Sequence, residues 1–166
     1  MKDLEISQKF VKDAKKLRVG LSWKSVVSIY GKLKSLSLND FKDIFNKNRQ
    51  IINLQYGDVK GEISKFENQN FEIYSFKEVD LFNDLEGCMS ILKSLDVFVT
   101  VSNTTAHIAG AMGVKTILIC PRKSSMYFYW NNKSNITPWY KNVEIVKVSG
   151  SIKNTIKKID NLLKEI

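Results

Sequence analysis

The chain of 166 residues is 43% hydrophobic, which suffices for one globular domain with its own core and is tight for two. Its formal charge of +9 comes from lysines spread from Lys2 to Lys164, alongside abundant Asn and Ile. That diffuse excess carries none of the module signatures of nucleic-acid binding, so nucleic acid is not expected as a partner. Two cysteines, Cys88 and Cys120, sit in apolar runs, form no disulfide framework or metal set, and read as free thiols of a reducing cytoplasm.

The N-terminus, "MKDLEISQKFVKDAKKL", is charged throughout and lacks the apolar core of a signal peptide; no window approaches a membrane span. Phe10, Ala14 and Leu17 share one face of a helix predicted over residues 1–17, a linker or packing element ahead of a domain at 18–166. "RVGLSW" reads as the first strand and "KSVVSIYGKLKS" as a polar loop. "SLNDFKDIFN" is a helix capped by Ser37 or Asn39, and "QIINLQ" is the second strand. "FEIYSF" reads as a third strand, and "NDLEGCMSILKSL" as a helix opened by Asn83 or Asp84. "DVFVTV" is a fourth strand whose continuous apolar run predicts burial on both faces. "SNTTAHIAGAMG" is a short helix stopped at Gly113, and "KTILIC" a fifth strand closed by Pro121. An aromatic loop from Tyr127 to Tyr140 leads to a sixth strand, "VEIVKV". The closing helix places Ile152, Ile156, Ile159 and Leu163 on its inner face.

Strands alternating with helices predict an α/β fold: a single Rossmann-like, doubly wound parallel sheet of about six strands with helices on both faces. In such sheets ligands bind beyond the carboxyl ends of the strands, which selects the loops after Trp23, Leu54, Val101 and Cys120. The loop after Val101 is the most informative. A helix starting at Thr104 or Thr105 offers unpaired N–H groups and the positive end of its dipole, roughly half a unit charge. Phosphate suits such a site. Ser102, Asn103, Thr104 and Thr105 add hydroxyl and amide groups, and His107 lies in the first turn with a further donor. The same residues also suit plain capping of a core helix over a buried histidine.

"LDVFVTVSNTTAHIAGAMGVKTILICP" resembles a segment of the glycosyltransferase-like domains that follow tetratricopeptide repeats in many bacterial proteins. It is also similar to the "DSGxxHLAAA" segment of heptosyltransferases. "VGLSWK", "LKSLSLNDF", "IINLQYGD", "FNDLEGCMSILKSLD" and "YWNNKSNITPWYKNVEIVKV" resemble further pieces of that family in the same order, so the likeness covers residues 18–148.

The resemblance implies one half of the two-domain GT-B fold, the half that binds a nucleotide-diphosphate sugar as substrate, without a metal or other cofactor. It implies that Ser102, Asn103, Thr104, Thr105 and His107 line the donor diphosphate, with Lys34 and, more weakly, Lys24 as cations. Gln55, Tyr56 and Asp84 are placed to meet the base or ribose, although Asp84 serves equally as a helix cap. Departures occur: Asn103 replaces the family's aspartate, Gly87-Cys88 its "DT", Tyr127-Phe128-Tyr129 its "DWR", and Ser37 the proline of "SIPL". Catalytic residues are expected on an N-terminal acceptor-binding or tetratricopeptide-repeat partner domain, and residues 1–17 are too short to supply it.

Two other function classes remain. One is a non-catalytic Rossmann-like ligand-binding or interaction module, since fold does not dictate function. The other, a dinucleotide-dependent oxidoreductase, lacks the GxGxxG turn after its first strand. No nucleophile triad or metal-ligand cluster is legible.

Overall fold

The computed structural model describes residues 16–26, 31–120, 130 and 137–166. Five strands form one sheet: β1 (Leu17–Ser22), β2 (Arg49–Asn53), β3 (Val97–Val101), β4 (Thr116–Cys120) and β5 (Val143–Lys147). All pair in parallel, in the order β2-β1-β3-β4-β5. β3 and β4 are buried along their whole length, as their unbroken apolar runs predict.

Helices cover both faces. A 3-10 helix (Leu38–Ile44), α2 (Lys60–Glu67) and α5 (Ile152–Lys164) pack on the side that takes Val19, Leu21, Val97, Val99 and Ile117. On the other side α3 (Leu85–Lys93) packs over Phe98 and Ile52, joined by Ala109 of α4 (Thr104–Ala111). The alternation of strand residues between the two faces follows from the period-2 geometry of a strand. On α5, Ile156, Ile159 and Leu163 are buried, as their spacing predicts, and Ile152 is partly covered.

Among the described residues the sheet has five strands, where about six were expected. "FEIYSF" pairs with the sheet as a strand does only at an isolated bridge between Tyr74 and Ile52. Ile73 enters the core on one face and Phe76 the core on the other, so this segment crosses the β2 edge instead of running along it. "SLNDFKDIFN" forms a 3-10 helix, capped by Ser37 in a reciprocal pair with Asp40. The segment read as a polar loop contains a short helix, α1 (Gly31–Lys34), and α2 is a helix the sequence reading lacked. Leu17 belongs to β1 and not to the helix expected over residues 1–17; residues 1–15 lie outside the described residues. Pro121 and most of the aromatic loop after it also lie outside them.

Two ion pairs close the amino ends of the strands. The Asp96 carboxylate accepts from the Arg18 backbone N–H at 2.7 Å and from its guanidinium at 2.7 and 3.1 Å. Arg49, at the start of β2, donates to the Asp160 carboxylate at 2.6 Å and to its carbonyl at 3.0 Å, tying the sheet to α5. Among the described residues no helix is long and apolar enough to cross a membrane.

Candidate functional site at the carboxyl edge

The strand order reverses between β1 and β3, so the crevice of this sheet lies between the turns that leave those two strands. Both turns are held by buried amide side chains. The Gln55 Oε1 accepts from the Ser22 hydroxyl at 3.0 Å and from the backbone N–H groups of Trp23 and Lys24 at 2.9 and 2.6 Å. Its Nε2 donates to the Tyr56 carbonyl at 2.8 Å. Gln55 therefore shapes the β1 exit instead of presenting its amide to a ligand.

Asn103 does the corresponding work on the β3 side. Its Oδ1 accepts from the Ala106 N–H at 3.0 Å and caps α4. Its Nδ2 donates to the Ser22 hydroxyl at 2.8 Å and the Lys24 carbonyl at 3.3 Å, which ties the two turns together across the reversal point. With the Asn103 side chain so engaged, the amide at this position is a scaffold for the crevice. Ser102 is likewise buried, its hydroxyl accepting from the Trp130 indole N–H at 3.0 Å. Thr105 is buried, and Thr104 is exposed at the first position of α4.

The two lysines divide. Lys24 is ion-paired with Glu62 of α2, whose carboxylate also accepts from the Trp23 indole and the Leu38 N–H, each at 3.0 Å. Burial pushes this carboxyl up, but the bonds from Lys24, Leu38 and Trp23 outweigh that and hold it below the usual range. Lys34, by contrast, is buried at the end of α1, with 4% of its surface exposed. Its charge reaches His107: burial first, and Lys34 second, push the imidazole below its ordinary value and keep it neutral. The Ser35 hydroxyl accepts from the Ser25 N–H at 3.0 Å, which holds the end of α1 against the β1 exit turn.

Tyr56 comes to the same turn. Burial raises its phenol, partly offset by hydrogen bonds with the Val26 backbone and the Thr104 hydroxyl. Its ring lies 6.0 Å from that of Phe82, which brings the start of α3 to this edge. Asp84 caps α3, accepting from the Gly87 N–H at 2.9 Å.

The imidazole of His107 stacks on Trp130 with ring centroids 4.7 Å apart, and its Nδ1 lies 3.2 Å from the Tyr140 hydroxyl. Tyr140 in turn lies against Gly110, where a Cβ would come within 2.6 Å of its ring. The small residue of α4 thus makes room for an aromatic ring. Gly113, at a φ of +77°, ends the helix as expected.

Lys34, Thr104, His107 and Tyr56 are brought together at one edge, with Gln55 and Asn103 as the frame beneath them. Glu62 was not singled out in the sequence, and Tyr140 only as the end of an aromatic loop; Glu62 meets Leu38, Lys24 and Trp23 from 24 to 39 residues away and Tyr140 meets His107 from 33, which leaves no local pattern. The thiols of Cys88 and Cys120 are buried and pushed up to about 11 by that burial, the opposite of an activated nucleophile. Among the described residues no group of His, Cys, Asp and Glu is arranged to hold a metal.

No family model matches the chain. Protein FlbA of Caulobacter vibrioides is 28% identical over 135 residues, which span 76% of this chain and 21% of FlbA. Among solved structures, the E. coli ADP-heptose lps heptosyltransferase II superposes with a TM-score of 0.65 at 10% identity, over 99% of this chain and 51% of that one. The glycosyl transferase family 9 structure from Veillonella parvula gives 0.59 at 10% identity, over 99% and 52%. The chain spans about half the length of these structures. The fold is that of half a GT-B glycosyltransferase: one parallel Rossmann-like sheet with helices around it.

Proposed function

We propose that the chain is the donor-binding half of a glycosyltransferase and holds the diphosphate of a nucleotide sugar at the N-terminus of α4. One observation carries the reading: where the strand order reverses, the Asn103 amide ties the β1 turn to the β3 turn and caps α4, leaving the exposed Thr104 and the helix N-terminus on the crevice. An anion suits the positive end of a helix, where the first N–H groups have no partner within the helix. The switch-point position is where an open sheet of this kind accommodates a ligand.

As the glycosidic bond breaks, negative charge gathers on the leaving nucleotide diphosphate. Lys34, the α4 N–H groups, the Thr104 hydroxyl and the neutral His107 would stabilise that charge without a metal. Tyr56 and Phe82 flank the same edge and suit the base. Lys24 stands outside the phosphate set, because its charge is matched by Glu62. Acceptor and base would come from a facing domain, so the chain binds donor and turns over little by itself.

The test is a thermal-shift panel of ADP, UDP and GDP sugars, led by ADP sugars because the E. coli neighbour is an ADP-heptose heptosyltransferase. A ligand at ten times its Kd adds about 1.4 kcal/mol and raises Tm by roughly 4 °C. Lys34→Ala is expected to weaken binding about tenfold and shrink the shift. No shift with any of them at millimolar concentration would refute the reading.

A further inference from the structure

His107 is the chain's only histidine, and three aromatic contacts fix it. Its Nδ1 faces the Tyr140 hydroxyl at 3.2 Å. Its ring lies over Trp130 at an interplanar angle of 26°, and over the Tyr140 ring edge-on at 5.9 Å. Trp130 is fully buried and donates its indole N–H to Ser102, so the same ring that supports His107 also anchors the β3 turn. Tyr140 has its own fixed seat against Gly110 and reaches the cluster from the segment ahead of β5.

A neutral imidazole has one N–H and one bare nitrogen, and the partner of one nitrogen decides which carries the proton. A phenol O–H is a good donor with a delocalised, weak acceptor oxygen, whereas a bare imidazole nitrogen is a strong acceptor. The favoured pairing at Nδ1 is therefore Tyr140 O–H donating to the ring. We propose that Tyr140 is a positioning residue that holds His107 in the tautomer protonated at Nε2, so that His107 meets an anion at the α4 N-terminus as a neutral N–H donor. The tautomer assignment stands on the aromatic contacts alone, and its use toward an anion rests on the donor-binding reading above. The histidine would then contribute a directed hydrogen bond, and Lys34 the charge.

With a single histidine, a two-bond proton–nitrogen NMR spectrum of the full chain labelled at histidine nitrogen reads the tautomer without ambiguity. At pH 7.5 to 8 the expected pattern is an unprotonated Nδ1 and a protonated Nε2. Tyr140→Phe keeps the ring on Gly110 and removes only the hydroxyl; it should give a mixed-tautomer pattern while circular dichroism and Tm stay close to wild type. ADP should bind this variant about three- to tenfold more weakly. A protonated Nδ1 in the wild type, or a pattern unchanged in Tyr140→Phe, overturns the assignment. Should the tautomer mix and ADP bind the variant as tightly as wild type, the positioning role is overturned. Should wild type itself bind no ADP or ADP sugar while Tyr140→Phe still mixes the tautomers, the donor-binding reading fails and the tautomer assignment stands.

Discussion

The two ends of the sheet bury polar groups in different ways. At the amino end Arg18 meets Asp96 in a half-buried pair and the buried Arg49 meets Asp160, charge against charge, and each pair ties a strand to an element distant in the chain. At the carboxyl end the buried groups are mostly neutral: Gln55, Asn103, Ser22 and Ser102 bond to loop backbone and to one another. Charge is present there too: Lys24 pairs with Glu62, and Lys34 is buried at the end of α1. An ion pair neutralises itself and asks for nothing further. An amide frame orients a turn and leaves the N-terminus of α4 on the crevice, which suits an incoming anion.

Asn103→Ala should separate the two ends most sharply. It removes a helix cap and the bridge between the β1 and β3 turns, costing about 3 kcal/mol and lowering Tm by roughly 9 °C. It should also abolish the nucleotide-sugar thermal shift. Asp160→Asn tests the other end. Removing the partner of a buried arginine should cost about 2 kcal/mol, less than a fully enclosed pair, because Asp160 is partly open to water. The nucleotide shift should survive that change intact, and its loss would show that the two ends are not separate.

Acid provides a smaller and graded version of the same contrast. His107 is held below its ordinary value of 6.5, so the unfolded chain binds its proton first; the stability it contributes is complete above that pH and is lost as pH falls through its lowered value. Glu62, also held low, contributes stability above its ordinary 4.5 that is lost as pH falls through its lowered value. Asp96 and Asp160 are held low as well, burial being outweighed by Arg18 in the first case and by Lys164 and Arg49 in the second. Their contributions are present above 3.8 and are lost only at still lower pH. Hydrogen exchange across an acid titration should therefore show α4 and the β1 exit loosening before the starts of β1 and β2. Loss in the opposite order would contradict the assignment of neutral and charged ends.

Much of the frame is written locally. The apolar runs at Val97–Val101 and Thr116–Cys120, the isoleucine spacing of α5, and the caps at Ser37, Asp84 and Asn103 each carry their own signal. α2 was hidden because Lys60–Glu67 offers only Ile63 and Phe66 as apolar anchors, starts with a glycine in its first turn, and follows Val59, which makes no side-chain cap. "FEIYSF" alternates like a strand, yet its apolar residues serve two different cores. At the site, position was legible and role was not. Residues 102–107 stood out as polar between buried strands, but the division of labour depends on distant partners: Gln55 on Ser22, Glu62 on Lys24, Tyr140 on His107.

The central claim is that the carboxyl edge is the binding edge, and an amide NMR titration of the wild-type chain with an ADP sugar tests it most directly. Saturable shifts should appear at Lys34, Thr104, Thr105, His107 and Tyr56, with Arg18, Arg49 and Asp96 silent. Shifts centred on the amino end, or none at millimolar ligand, would contradict it.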